Sequence, residues 1–171
     1  MLIREATNKD MPTIQSIYAY HVKHGLSSWE ETPPDLEELI HRRKSVLTDG
    51  FPYLVAEIEH DVLGFAYASK YRPRPAYRYC CEDSIYVADN VQRNGIGFAL
   101  LDALIARCTA MQLRRMVAII GNSANRASIG LHEKAGFMYV GTIPSCGFKN
   151  SKWVDQVIMQ RALGPGDTIS P

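Results

Sequence analysis

The stretch Val91-Gln92-Arg93-Asn94-Gly95-Ile96-Gly97 limits this chain more than any other. It stands between an apolar run, Ile85-Tyr86-Val87, and a segment with Leu100, Leu101, Leu104 and Ile105 at helical core spacing. A glycine-bearing turn between a strand and a helix leaves the first helical N–H groups without partners, at the positive end of the helix dipole. Such a turn is suited to cradling phosphate oxygens. It is equally the plain way for a strand to become a helix, and the turn alone leaves both readings open. A dinucleotide fingerprint is absent, because Phe98, Ala99 and Leu100 follow Gly97 where a third glycine would be needed. The Lys-Ser/Thr ending of a nucleotide P-loop is absent as well.

The remaining chain supplies elements for a layered fold. "LIREAT" reads as an opening strand, and Asp10 as the cap of a helix carrying Ile14, Ile17 and Tyr18. "DLEELIHRRKSVL" returns to helical spacing, and residues 53–71 read as two strands joined at His60-Asp61. The proline- and arginine-rich stretch 72–83 reads as a loop entering the strand "SIYVA". "RRMVAII" is a strand, "SANRASIGLHEKAGF" a helix stopped at Gly136, and "YVGTI" and "WVDQVIMQ" two closing strands. This order predicts a mixed α/β (α+β) fold with helices on both faces of a central sheet. Residues 1–163 are expected to form one domain and 164–171 a flexible tail.

Charge balance narrows the partners. Nineteen basic and eighteen acidic residues give a net charge of +1, which disfavours nucleic acid and membrane surfaces as partners. No run of apolar residues reaches the length of a membrane span, and an acid at Glu5 does not fit a secretory leader. The four cysteines show no metal-type spacing, which predicts a reduced, cytoplasmic protein without a metal site. Cys81, next to an acid, reads as core filler. His21 and His24 lack further ligands.

Several motifs together carry a family likeness. Gln92-Arg93-Asn94-Gly95-Ile96-Gly97 resembles the Q/R-x-x-G-x-G/A turn of the GNAT superfamily of N-acetyltransferases, and "NRASIGLHEKAGF" (125–137) resembles its later helix. "RPRPAYRYCCEDSIYV" (72–87), "SSWEETPP" (27–34) and "GFKNSKWVDQVIMQ" (147–160) are similar to the phosphinothricin and methionine sulfoximine acetyltransferase branch. The resemblance implies a mostly antiparallel central sheet, splayed at an acetyl-CoA site, and a homodimer. It implies that Ile85, Tyr86 and Val87 offer main-chain groups to the pantetheine arm. Gln92, Arg93, Asn94, Gly95, Ile96 and Gly97 would hold the pyrophosphate, and Asn125 the arm. It places a general base at Glu82, and His132 where relatives carry a tyrosine that protonates the leaving thiolate. Two departures stand out: Cys80-Cys81 where that branch has Thr-Val, and Gly130 where an arginine is common.

The chemistry suits these residues. An α-amine with a pKa of about 8 needs about 1.4 kcal/mol to be neutral at pH 7, whereas a lysine side chain near 10.4 needs close to 5. One carboxylate is a better match to the former. From Glu82 to Ala88 an extended strand covers about 20 Å, enough for a pantetheine arm. "YRPRPAYR" (71–78) leads to Glu82, and its Arg72 and Arg74, with Tyr77, suit an oxyanionic small amine; Trp29 is placed as a pocket wall. The expected activity is therefore acetyl transfer to the α-amine of phosphinothricin, methionine sulfoximine or methionine sulfone, by direct attack in a ternary complex. The competing readings are an acetyltransferase for peptide N-termini or polyamines, and a non-catalytic acyl-CoA sensor that would tolerate loss of Glu82.

Overall fold

The computed structural model describes residues 1–91 and 94–171. Its elements run β1 (Leu2–Glu5), α1 (Met11–His24), α2 (Leu36–Thr48), β2 (Tyr53–Ile58), β3 (Asp61–Lys70), β4 (Cys80–Val87), α3 (Ile96–Ala110), β5 (Arg115–Gly121), α4 (Arg126–Lys134), β6 (Met138–Lys149) and β7 (Lys152–Ala162). The strands form one open seven-stranded sheet in the order β1-β2-β3-β4-β5-β7-β6. Every neighbouring pair is antiparallel except β4 and β5.

Two cores lie on opposite faces of this sheet. On one, α1 and α2 bury Met11, Ile14, Ile17, Tyr18 and Leu39 against Tyr53, Val55 and Phe65. On the other, α3 buries Leu100, Leu101, Leu104 and Cys108 against Ala66, Ala68, Cys81 and Met116. The strand alternation assigns successive residues to the two faces. A fully buried leucine or phenylalanine contributes about 1.5–3 kcal/mol, so both cores are substantial.

Local details depart from the sequence expectations in three places. Asp10 does not cap α1 with its side chain. Its carboxylate instead accepts from the Thr7 N–H at 2.6 Å and from Arg4 at 2.8 Å, closing a 3-10 turn ahead of the helix. Those partners hold the Asp10 carboxyl well below the usual carboxylate range, Arg4 first among them. Asp35 caps α2, accepting from the Glu38 N–H at 2.8 Å. Strand β4 starts at Cys80 rather than Ser84, because Cys80–Asp83 pair with Arg115–Ala118 of β5 and draw four loop-like residues into the sheet. Strand β6 runs to Lys149, well past "YVGTI", with a register shift between Ile143 and Gly147. A tight turn at Asn150 and Ser151, both at positive φ, joins it to β7.

Candidate active site

The site is built around one strand. Pairing of β4 with β3 continues from Cys81 to Val87, but pairing with β5 stops at Asp83. Beyond that point the sheet is splayed. The Cys80 carbonyl accepts from the Tyr71 N–H at 3.4 Å, and the Ala88 N–H donates to the Leu63 carbonyl at 2.9 Å. With no register shift between them, even-numbered residues of β4 turn their main chain toward β3, and odd-numbered ones away from it. Ile85 and Val87 therefore face the gap. Tyr86 does not: its main chain lies in the β3 ladder and its ring packs with Tyr18 and Phe65 on the α1 side. The resemblance implies main-chain groups from all three residues for the arm; in this register those of Ile85 and Val87 face the gap and those of Tyr86 pair with β3. The Val87 carbonyl is already held by His21 Nε2 at 2.8 Å, so His21 supports the strand.

Gly95 sits ahead of α3 at φ 78°, a left-handed conformation that favours glycine. Its carbonyl accepts the first helical bond, from Ala99, at 3.0 Å. The N–H groups of Ile96, Gly97 and Phe98 thus occupy the first turn, without partners inside the helix. Ile96 is buried and anchors the turn in the core, while Asn94 is exposed. Gln92 and Arg93 lie outside the described residues. Asn125 caps α4, its side-chain oxygen accepting from the Ser128 N–H at 3.1 Å, which leaves its amide NH2 to point elsewhere.

Glu82 shares its face with Ser84 and Tyr86, on the side of α1 and α2. Burial, reinforced by the Asp83 charge and opposed by Arg72, pushes its carboxyl up to about 7. Asp83 takes the opposite face. Its Oδ2 meets His132 Nε2 at 3.0 Å, and His132 Nδ1 meets the Ser128 carbonyl at 2.7 Å. Both side chains are almost fully buried, at 2% and 4% exposure. Burial lowers the His132 pKa, but the Asp83 hydrogen bond and charge outweigh it, and the net direction is upward. Both ring nitrogens of His132 are thus engaged, on the face opposite Glu82. Asp83 was missed by sequence reasoning; an acid directly after Glu82 in a strand was the available signal.

Glu82 overlooks aromatic and basic side chains. Tyr67, whose register partner is Ser84, lines a small solvent-open cleft with Tyr18, Arg42, Tyr53 and Phe65. Glu30 joins Arg42 at 2.5 Å and the Tyr18 hydroxyl at 2.9 Å. In the 71–79 loop, the Arg72 guanidinium lies 4.5 Å above the Tyr71 ring, and Tyr77 meets the same ring edge-on at 5.8 Å. Arg74 is exposed, and Arg78 stacks on Tyr79 instead. Trp29 is partly exposed, its ring lying against Gly147. The hydrogen bond to Cys108, with burial behind it, pushes the Cys81 thiol far up, which suits core filler and opposes a thiolate. Among the described residues no group of His, Cys, Asp and Glu could hold a metal ion.

These features coincide with a known family. Residues 14–137 match the model of the acetyltransferase (GNAT) family. The chain is 48% identical over 169 residues to a phosphinothricin N-acetyltransferase of Alcaligenes faecalis, covering 99% of this chain and 86% of that one. It is 40% identical over 164 residues to an L-methionine sulfoximine/L-methionine sulfone acetyltransferase of Pseudomonas aeruginosa, with 95% of each covered. The crystal structure of a GNAT superfamily phosphinothricin acetyltransferase from Sinorhizobium meliloti, in complex with AcCoA, superposes with a TM-score of 0.96 at 42% identity, covering 99% of this chain and 92% of that one. The chain belongs to the acetyltransferase (GNAT) family, in the branch that holds the phosphinothricin and methionine sulfoximine N-acetyltransferases.

Proposed function

We propose that this N-acetyltransferase moves the acetyl group of acetyl-CoA onto the α-amine of a small amino-acid-like substrate of the phosphinothricin, methionine sulfoximine or methionine sulfone type. The observation that carries this reading is the course of β4: a gap lined by Ile85 and Val87 leads from the Gly95 turn to Glu82, whose carboxyl sits near 7. The pantetheine arm lies along that gap, its amides paired with the Ile85 and Val87 main chain and the Asn125 amide NH2. The diphosphate rests on the N–H groups of the 94–97 turn, and the family resemblance assigns Gln92 and Arg93 to the same group. The relatives named above support the substrate class.

Glu82 acts as general base in a ternary complex. A carboxylate near pH 7 in basicity is matched to an α-amine of pKa about 8, and such matching is worth about 10²–10⁴ in rate. The amine proton passes to Glu82, the N–C bond forms, and the C–S bond breaks with its electron pair on sulfur. Glu82 then passes that proton to the leaving sulfur, so the thiol departs neutral and the carboxylate is regenerated. His132, with both nitrogens engaged, holds α4 to β4 and moves no proton in this scheme. Arg72, Arg74 and Tyr77 receive the substrate's oxyanionic side chain, and Trp29 closes the pocket.

The whole of 1–163 works as one unit, in the cytoplasm, where the free thiols of Cys80, Cys81, Cys108 and Cys146 are stable. The edge strand β6 and its neighbour expose Met138, Tyr139, Val140, Ile143, Phe148 and Trp153, each by at least 46%. An apolar face of that extent suits a homodimer. The test is a thiol-release assay with acetyl-CoA against phosphinothricin, methionine sulfoximine, methionine sulfone, free amino acids, peptides and polyamines. Activity confined to peptides or polyamines would overturn the assignment.

A further inference from the structure

The loop between α1 and α2 is fastened on two sides. Toward the helices, the Tyr18 hydroxyl bonds Ser28 Oγ at 3.0 Å and Glu30 at 2.9 Å, and Arg42 joins Glu30. Toward the far end of the sheet, Lys149, 121 positions later, donates from Nζ to the Ser28 carbonyl at 2.6 Å. Lys149 is only 4% exposed. Next to it the Trp29 ring fills the space where Gly147 lacks a side chain; a Cβ there would overlap the ring. Gly121, at the end of β5, admits the Leu26 carbonyl in the same manner.

A buried ammonium requires explanation. Desolvating it is costly unless hydrogen bonds compensate, and a methionine would fill the same volume without that cost. What the ammonium supplies is a directional, charge-assisted bond to one carbonyl. That carbonyl belongs to the residue preceding Trp29. The hairpin carrying Lys149 is itself fastened: within the register shift in β6, the Ser145 N–H donates to Asp155 Oδ1 at 2.9 Å, and Ser123 Oγ donates to Asp155 Oδ2 at 2.5 Å. The bond from Lys149 therefore adds a directional tie between the hairpin and a loop that otherwise meets the sheet only through the packing of Leu26 and Trp29.

We propose that Lys149 is a positioning residue for the amine: it latches the β6–β7 tip to the Trp29 loop, so that this wall of the pocket stands in place before the substrate arrives. The proposal rests on the reading of Trp29 as a wall of the amine site. A wall fixed in advance spares the substrate the ordering cost on binding, so the latch governs amine affinity and leaves the coenzyme gap untouched.

The test uses Lys149→Met and Lys149→Arg in a Trp153→Phe background, where Trp29 is the sole tryptophan. In Lys149→Met the KM for the amine rises about tenfold or more, while kcat and the KM for acetyl-CoA stay within about twofold. Trp29 emission of the free enzyme shifts to the red and becomes more accessible to iodide. Lys149→Arg restores most of both. Gly147→Ala, which expels the ring and keeps the ammonium, produces the same two changes and serves if Lys149→Met does not fold. The double variant is less than additive, because both changes break one contact. An unmoved Trp29 emission, or equal changes in both KM values, overturns the latch. Absence of turnover with every amine is a different result: it retires the proposed function, while the emission of the free protein still decides whether the latch exists.

Discussion

Glu82→Gln should make the enzyme slower and, above neutral pH, more stable. In the unfolded chain a glutamate titrates near 4.5; in the fold Glu82 is pushed up to about 7. Below pH 4.5 both states hold the proton and the two proteins are equally stable. Between 4.5 and 7 the unfolded chain ionises first, so the folded state binds more protons and the parent's stability falls with rising pH. Above 7 the loss levels off. Fully expressed, a displacement from 4.5 to about 7 corresponds to about 3.4 kcal/mol. Glu82 is only partly buried, and solvent screening reduces this to about 1–2 kcal/mol. Glutamine cannot ionise, so the variant lacks that slope. Urea unfolding at pH 4.5, 6 and 8 should show the two proteins diverging progressively, with the variant ahead by about 1–2 kcal/mol at pH 8. In the thiol-release assay the variant should lose about a hundredfold or more in kcat, and the inflection near 7 should vanish from its kcat/KM profile. Coenzyme A affinity should hold. Parallel stability curves would refute the buried charge, and undiminished turnover would refute the base.

Three substitutions and one assembly test address other parts of the fold. Asp83→Ala strips the buried imidazole of its partner and should cost about 3–5 kcal/mol at pH 6. Because the folded His132 pKa is raised, that contribution is fully present below about 6.5 and lost as pH climbs through the folded value, so the deficit by urea unfolding should shrink at pH 9. Gly95→Ala meets no atom within 4 Å, so its cost is purely that of the left-handed backbone, about 1–2 kcal/mol in thermal or urea unfolding. Gly130→Ala also projects into open space, but from the interior of α4, and should stabilise by about 0.5–1 kcal/mol. Trp153→Asp, on the exposed apolar hairpin, should shift the protein to monomer in sedimentation velocity while the parent sediments as a dimer.

Local patterns were legible in the sequence; pairings between distant residues were not. The Gly95 turn and the core stripe of α3 could be read because each is encoded within a few residues. The gap between β4 and β5 was reachable only through family likeness, since no residue near Asp83 announces that its strand partner departs there. The start of β4 was placed four residues late because the flanking arginines and prolines imitate a loop, whereas pairing with β5 overrides that local preference. Tyr86 was grouped with its neighbours as a main-chain donor; the face it takes follows from a ladder register that only the pairing with β3 defines. Asp83 with His132, and Lys149 with Ser28, are joined across 49 and 121 positions. Buried polar contacts of that range have no periodicity to betray them.

The alternation along β4 has a consequence for how this enzyme can vary. Glu82 and Asp83 are adjacent, yet the carboxylate proposed as the base and the carboxylate that holds His132 end up on opposite sides of one sheet. Slip β4 by a single residue against its neighbours, and each group would inherit the other's surroundings: Glu82 turned to the side of α4, Asp83 turned to the side of α1 and α2, and a different set of main-chain groups facing the gap. No neighbouring substitution could repair all three at once. Divergence in this segment must therefore proceed by exchange of residue for residue, while the loops at either end remain free to change length.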